Sequence, residues 1–312
     1  MSAITDGAAM AGTTDGEDPT PSRRKKTAKG LMADGRRRSP VAIIAMVLLG
    51  VLWTIPTLGL LVSSFRLRED IADSGWWTVL ANPFGAGWTT DNYNRVFEGT
   101  QLGTGFVNSL VVAIPATVIP IMFAAFAAYA FTFMEFKGRD VLFIAVVGVL
   151  VIPIQVAFQP MLNLMGPRGL DIVGQYFAVW IMHTGFGMPL AIYTLRNYMS
   201  TLPKTVIESA KIDGATHYQT FWKLIVPMSV PALAAFAILQ FLWVWNDLLV
   251  AKLFSSQNPT VIVELQGLIG TQGLGAELLI AGAFISMALP MVVFFTMQRF
   301  FVRGLTAGAV KG

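Results

Sequence analysis

Cysteine is missing from all 312 residues of this chain, which excludes disulfides, thiolate nucleophiles and cysteine-ligated metals. Histidine is nearly missing: His183 and His217 are the two present, too few for a histidine-rich metal site. Charge is scarce as well. Asp, Glu, Lys and Arg make up 13% of the residues, against roughly a quarter in ordinary soluble domains. No G-x-x-x-x-G-K-[ST] run occurs, so the chain has no phosphate-cradling loop of its own. Neither an acid–base pair nor a nucleophile–base arrangement stands out. No catalytic residue and no metal site is therefore assigned, and the chain is not expected to be an enzyme.

What is abundant is apolar sequence. Hydrophobic residues make up 54% of the chain, and several runs exceed the roughly 18 residues of a membrane-spanning helix. They fall at about 41–65, 105–134, 141–165, 175–195, 230–252 and 276–300. The expectation is an all-α, multi-pass membrane protein of six spans, its membrane domain covering 41–300 and a short tail covering 301–312. The third and fourth runs are interrupted by Pro153, Pro160, Gly185, Gly187 and Pro189. Such breaks are tolerated where neighbouring helices or water re-satisfy the freed backbone groups, and they read equally as ordinary kinks or as bends lining a cavity. The first run, Val41 to Ser64, exceeds a signal-peptide core and is expected to stay as an anchor.

Residues 1–40 are a different material. Residues 1–22 are rich in Gly, Ala, Thr and Asp and read as disordered. Arg23 to Lys26, Lys29 and Arg36 to Arg38 follow directly before the first apolar run. Beside a membrane segment such a cluster sets topology or meets anionic lipid, in preference to nucleic acid. Loop charges orient the rest. With the N-terminus inside, cytoplasmic segments hold seventeen Lys/Arg and outer ones five: Arg66, Arg68, Arg95, Arg168 and Lys252. That bias places both termini in the cytoplasm.

One stretch is out of character with its surroundings. ESAKIDGATHYQTFWKLIVP, Glu208 to Pro227, puts Glu208, Lys211, Asp213, His217, Gln219 and Lys223 between two very hydrophobic runs. In this topology it lies in the largest cytoplasmic loop, about 196–229. Thr201 and Pro203 read as a helix start, with Val206, Ile207, Ala210 and Ile212 as an apolar surface. Gly214 reads as the stop, since glycine accepts positive φ, and Asp213 as a cap for nearby amides. Tyr218, Phe221, Trp222 and Ile225 fall at helical spacing and mark a second amphipathic helix, with Pro227 and Pro231 leading into the fifth span. Such an element can lie flat at the lipid interface or dock in a partner protein's groove.

The outer loops contribute less. Residues 66–104 hold Trp76, Trp77, Trp88 and Tyr93, read as interfacial aromatics, and 253–275 is polar and Gly-rich, read as a mobile loop. In the fifth span Asp247 is a carboxylate at membrane depth, which faces a cavity or pairs structurally, either with the neighbourhood of Asn246 or with Lys252. Gln240, Phe241 and Trp243 are candidates to line a pathway beside Asn246 and Asp247, since sugars combine hydroxyls with apolar faces that aromatics cover. His183 reads as a hydrogen-bonded core group.

The polar stretch resembles the EAA loop of ABC importer permeases: Glu-Ala-Ala, three residues, Gly, nine residues, Ile-x-Leu-Pro. Here Glu208-Ser209-Ala210 is followed after three residues by Gly214 and after nine more by Leu224-Ile225-Val226-Pro227. It departs at Ser209, Leu224 and Val226. Asn92-Tyr93-Asn94-Arg95-Val96-Phe97, Asn108-Ser109-Leu110, Trp245-Asn246-Asp247 and the ending Gly304-Leu305-Thr306-Ala307-Gly308-Ala309-Val310-Lys311-Gly312 are similar to carbohydrate importers. That ending is similar to the smaller permease of the maltose type, and the wording around HTGFGMPLAIYTLRNY and FLWVWNDLL is nearest to α-glucoside and glucosylglycerol permeases. The resemblance runs from about residue 41 to the C-terminus.

It implies a type I importer permease fold in a bacterial or archaeal cell membrane. It also implies a carbohydrate substrate, a second homologous permease forming a heterodimer, two copies of a cytoplasmic ABC ATPase that bind the ATP and Mg, and an extracytoplasmic sugar-binding protein. The first helix of the loop becomes a coupling helix seated in an ATPase cleft. Glu208 makes charged contacts there, Ser209 occupies the motif's middle position, Ala210 packs closely against the partner, Asp213 helps fix the turn and Gly214 makes it. The tail from Thr306 through Lys311 and Gly312 reaches between the ATPase subunits. The sugar contacts mainly the other permease, and this chain supplies half the gate. The alternative is an ion-coupled secondary transporter. That class needs buried ionisable groups spread through several spans and an internal repeat, and Asp247 is nearly alone.

Overall fold

The computed structural model describes residues 39–85, 87–269 and 275–307. The expected disordered tail, apart from its last two residues, lies outside them, as do Lys311 and Gly312. Helices are the regular elements of the described residues, with a single isolated bridge between Arg66 and Trp88. Among them, five helices are long and apolar enough to cross a membrane. These are α1 (Pro40–Ser64), α4 (Leu102–Phe133), α7 (Tyr176–Met199), the continuous helix His217–Trp245, and α13 (Ala276–Ala307), of which Ala276–Phe300 meets that test. Two short helices, α2 (Arg68–Asp73) and α3 (Asp91–Gly99), fall between α1 and α4 in the chain.

The third expected span is an elbow. Helix α5 (Arg139–Val149) and a second arm, Ile154–Met165, whose α-helical part is α6 (Phe158–Met165), meet at 94°. Between them the amides of Leu150, Val151 and Ile152 bond only three residues back, and Pro153 has no N–H to extend the ladder. An arm of eleven residues is about 16 Å long, half the hydrocarbon core. Pro189, by contrast, leaves α7 continuous.

Contacts divide the chain after Ile55. In the first unit, residues 40–55 form the opening turns of α1, apolar and exposed all round, with Trp53 and Val41 among the most exposed. A helix of this kind suits hydrocarbon. The second unit, from Pro56, holds every buried side chain among the described residues. Its principal packing is α4 against α7, then the helix His217–Trp245 against α13 and α4. Small residues allow the close approach: Ala113, Ala116, Ala124, Ala128, Ala178 and Ala191 are all fully buried.

Two apolar cores lie along this bundle. One gathers Val112, Ala116, Met182, Trp245, Phe254 and Leu265 with their neighbours. Trp245 is its hub, stacked on Phe241, edge-on to Phe106, and donating its indole N–H to Ser286 O at 3.1 Å. The other gathers Ala128, Tyr129, Leu195, Ile207, Phe221 and Phe236 at the end that carries the polar loop.

Residues 253–275 correct an expectation. They contain helix α12 (Val261–Ile269) rather than a mobile loop throughout, although 270–274 lie outside the described residues. Val261 and Leu265, one turn apart, are buried, and α12 packs on α4. The Asn108-Ser109 pair explains the placement. Asn108 Nδ2 donates to Pro259 O at 2.9 Å, Ser109 Oγ accepts from the Val261 amide at 2.8 Å, and Tyr176 Oη donates to Asn108 Oδ1 at 2.6 Å. Asn92 acts alike at the end of α1: its Nδ2 donates to Ser64 O and Arg66 O, while Tyr93 Oη lies 2.7 Å from Ser64 Oγ.

Candidate functional site: a helix–turn–helix and a cleft

The polar stretch folds as two helices about a glycine turn. Helix α8 (Lys204–Ile212) begins after Pro203. Thr201 is not its cap, because the Thr201 hydroxyl donates to Tyr198 O at 2.7 Å, closing the preceding turn instead. The α8 end is fixed by two backbone bonds, Gly214 N–H to Lys211 O at 3.1 Å and Ala215 N–H to Ala210 O at 2.9 Å. Together with φ +76° at Gly214 they make a Schellman closure, which satisfies carbonyls that a helix end leaves open. Asp213 is exposed and contributes its own amide, bonded to Ser209 O at 2.9 Å. No side-chain hydrogen bond from it caps the turn.

Helix α9 (His217–Thr220) starts with a capping box. Gln219 N–H donates to Thr216 Oγ1 at 3.3 Å, and Thr216 N–H donates to Gln219 Oε1 at 2.9 Å. It then runs through a π turn, Phe221–Ile225, into α10 (Val226–Trp245). The second amphipathic helix and the fifth span are thus one helix, not two elements separated at Pro227 and Pro231. In the π turn Val226 N–H reaches back five residues to Phe221 O, and the register shifts just before Pro227, which cannot donate.

The faces sort cleanly. Ile207 and Ala210 of α8 and Phe221 and Ile225 beyond it are buried in the chain's own core. Glu208, Ser209, Lys211, Ile212 and Asp213 are exposed, as are Tyr218 and Trp222. Ala210 is therefore an inward residue, and the outward surface of α8 is formed by its exposed neighbours. Glu208 also lines a cleft of about 420 Å3 with Lys204, Lys211, Arg139 and Arg196. Arg196 stands over the Phe143 ring at 4.2 Å, linking α7 to α5.

A second cleft, of about 570 Å3, lies along α7 and α10. Its wall includes His183, Phe186, Gly187, Gln240, Trp243, Asn246 and Asp247. Four of the five residues suspected of lining a pathway come together here. Phe241 does not, since it points into the core against Trp245. Asp247 pairs neither with Lys252 nor with Asn246. Its Oδ1 accepts from the Val250 amide at 2.9 Å, capping α11 (Leu249–Phe254), while Lys252 Nζ donates to Gln266 Oε1 at 3.0 Å and Asn246 Nδ2 to Leu242 O at 2.8 Å.

Sequence reasoning missed the roles of His183 and Gly187. His183 is buried, yet its Nε2 finds no hydrogen-bond partner among the described residues, contrary to the expected bonded core group. A Cβ on Gly187 would stand 2.7 Å from Gln240 Nε2; the missing side chain on α7 lets Gln240 pass and donate to Ala116 O of α4 at 3.2 Å. The spacing of Gly187 and His183, one turn apart, was the available signal. The tail residue Thr306 lies in the last turns of α13.

Against known proteins, residues 101–307 match the family of binding-protein-dependent transport system inner membrane components. The osmoprotective compounds uptake permease protein GgtD of Synechocystis sp. is 50% identical, over 86% of this chain and 91% of that protein. The alpha-glucoside transport system permease protein AglG of Rhizobium meliloti is 38% identical, over 88% of this chain and 99% of that protein. Among solved structures, a bacterial ABC transporter involved in the import of the acidic polysaccharide alginate superposes with a TM-score of 0.69 at 19% identity, over 91% of this chain and 100% of that one. The fold is thus that of an ABC importer permease. With a family match to more than half of the chain and relatives similar along nearly all of their length, the chain belongs to the binding-protein-dependent transport system inner membrane components, as a multi-pass permease subunit.

Proposed function

We propose that this chain is one of two permease subunits of an ATP-driven importer for an α-glucoside or a related oligosaccharide. The names of its relatives support the substrate class: AglG is an alpha-glucoside permease, and SugB of Mycobacterium tuberculosis, 34% identical over 72% of this chain and 82% of that protein, is a trehalose permease. A second, homologous permease completes the pathway, an extracytoplasmic binding protein delivers the sugar, and two ABC ATPase subunits bind ATP and Mg. Both termini are cytoplasmic, in keeping with the charge bias of the loops.

The observation that carries this reading is the helix–turn–helix closed at Gly214. Its inner face belongs to the core and its outer face presents Glu208, Ser209, Ile212 and Asp213. A short helix end held this firmly, with an exposed Ile212 among charges, suits the groove of a partner. Because α9 continues unbroken into α10, a force applied at α8 reaches the membrane helices through backbone alone. The tail from Thr306 to Gly312 is proposed to reach between the ATPase subunits.

Extraction of the tagged chain in mild detergent tests the assignment. Co-purification of a second permease and a P-loop ATPase is expected, with hydrolysis stimulated by the sugar-loaded binding protein. Recovery of the chain alone, still able to drive uptake on a proton or sodium gradient, would overturn it in favour of a secondary transporter.

A further inference from the structure

We propose that the cleft between α7 and α10 is a direct binding site for a neutral, hydroxyl-rich ligand. The chain then holds the transported sugar itself rather than serving only as half of a gate. This rests on the importer reading above and names the chemistry that the pathway accepts on this side.

The polar groups are built in, not incidental. His183 Nε2 is buried at the cleft wall without a partner among the described residues, a state rare for a buried ring nitrogen unless something binds there. Whichever tautomer the imidazole takes, a hydroxyl answers it, because a hydroxyl both donates and accepts. Asp247 is held in place through Oδ1 by the Val250 amide, and a carboxylate so held has capacity for further donors. Gln240 is fixed by its amide nitrogen against Ala116 O. Trp243, half exposed on the same wall, offers the flat apolar surface that complements the C–H face of a sugar ring. Leu190 and Phe186 complete an apolar lining, and about 570 Å3 falls within the roughly 300–1,000 Å3 of small-molecule sites.

Charge narrows the ligand. Among the described residues no Lys or Arg lines this cleft, and Asp247 is its acidic residue. A uronate or phosphorylated sugar brought beside Asp247 would meet a like charge at low dielectric with no cation to offset it. A cationic ligand would have one carboxylate to answer its charge and would leave the amide, imidazole and apolar lining unanswered. An uncharged glycoside or polyol meets donors, acceptors and an aromatic face without either conflict.

The absence of cysteine makes the test direct. Asn246→Cys introduces the chain's one thiol into the cleft wall, and its labelling by a small methanethiosulfonate is followed by the mass of this chain within the complete transporter. With trehalose or methyl α-glucoside at ten times its half-protecting concentration, labelling is expected to slow about tenfold by simple occupancy. Glucuronate at the same concentration should give no protection, and neither sugar should protect Tyr218→Cys on α9. Adding Asp247→Asn to the Asn246→Cys chain should shift the protecting concentration upward. Unprotected Asn246→Cys in a transporter whose wild type still imports the glycoside overturns the site while leaving the importer intact. Equal protection by glucuronate overturns the neutral-ligand assignment. If the wild-type transporter imports neither glycoside, the substrate class of the importer reading fails, and this inference falls with it.

Discussion

Tyr129 Oη and His217 Nδ1 lie 2.9 Å apart, with their rings edge to face. The first is a buried residue of the long membrane helix α4, and the second opens the helix that follows Gly214. Phe221 reinforces the junction, stacked on Phe126 at 4.6 Å and edge-on to Tyr129 at 5.5 Å. The polar helix pair is thereby fastened to two membrane helices, by backbone to α10 and by side chains to α4. A displacement of α8 must move both or break this contact.

Removing the hydroxyl tests that fastening. Tyr129→Phe keeps the aromatic packing and loses one hydrogen bond, a change on the order of 1 kcal/mol. His217→Ala should cost a similar amount, and the double variant should cost less than the sum. Subunit assembly is expected to survive while binding-protein-stimulated ATP hydrolysis falls several-fold. Additive thermal shifts in the cycle would show that the two groups do not act together.

Gly214 offers a test in which sterics play no part. An added Cβ would meet nothing within 4 Å, yet φ is +76°, so Gly214→Ala isolates the backbone penalty of roughly 1–2 kcal/mol. Gly214→Asn should be milder, because Asn tolerates this region. Gly214→Pro can neither adopt the angle nor supply the amide bonded to Lys211 O at 3.1 Å. It should insert normally and abolish stimulated hydrolysis; normal stimulation in an inserted Gly214→Pro chain would remove the turn from the coupling pathway.

Glu208→Lys probes the outer face of α8 without touching the core, since Glu208 is exposed. The adjoining cleft holds Lys204, Lys211, Arg139 and Arg196 against two acids, Glu208 and Glu135, so the change removes one of the two acids and adds a like charge. Weaker retention of the ATPase on a tagged chain is expected, more pronounced at low ionic strength, where screening is least. Retention equal to wild type at every salt concentration would place the ATPase contact elsewhere.

Asn108 joins three segments through one amide, so its loss should be felt widely. Asn108→Ala leaves the Pro259 carbonyl and the Tyr176 hydroxyl without their partners, for an expected cost of about 2–4 kcal/mol. The thermal midpoint in detergent should drop clearly. Asn108→Asp retains the acceptor for Tyr176 but sets a carboxylate against the Pro259 carbonyl, and should be no better. A midpoint within error of wild type would mean that α12 is held by its apolar face alone.

Much of this was legible in the chain because long apolar runs and a glycine between polar helices are local signals. The five long helices, the turn at Gly214 and the gathering of Gln240, Trp243, Asn246 and Asp247 were all foreshadowed. A break at Pro153 was foreshadowed too, but not its sharpness, because hydropathy counts residues and is blind to a 94° change of direction. Helix α12 was concealed by the polar Ser255–Thr260 lead-in, whose order depends on Asn108 and Ser109, far earlier in the chain. Phe241 likewise faces inward for a reason that lies on another helix, the Ser286 carbonyl that fixes Trp245 against it. Most buried histidines are satisfied, so His183 reads as bonded, and the residues within one helix could not show that α10 leaves its Nε2 unmet.

Arg95 and Glu277 form another long-range tie, from α3 to the start of α13. Arg95 Nη1 stands 3.3 Å from Glu277 Oε1, an ion pair without hydrogen-bond alignment. The two ends are unequal: the arginine side chain is 50% exposed and the carboxylate 1%. An exposed cation taken alone contributes little, but here its removal leaves a buried charge unpaired, which is costly. Arg95→Ala should therefore destabilise the fold by more than a surface pair does, on the order of 2 kcal/mol after allowance for solvent at the arginine. Glu277→Gln removes the charge while keeping the shape. In the Arg95→Ala background it should recover much of the loss, whereas in the wild-type background it should cost little. Thermal unfolding of the four chains decides the matter: if adding Glu277→Gln leaves the Arg95→Ala chain as unstable as before, the penalty comes from lost packing of the arginine stem and not from a stranded carboxylate.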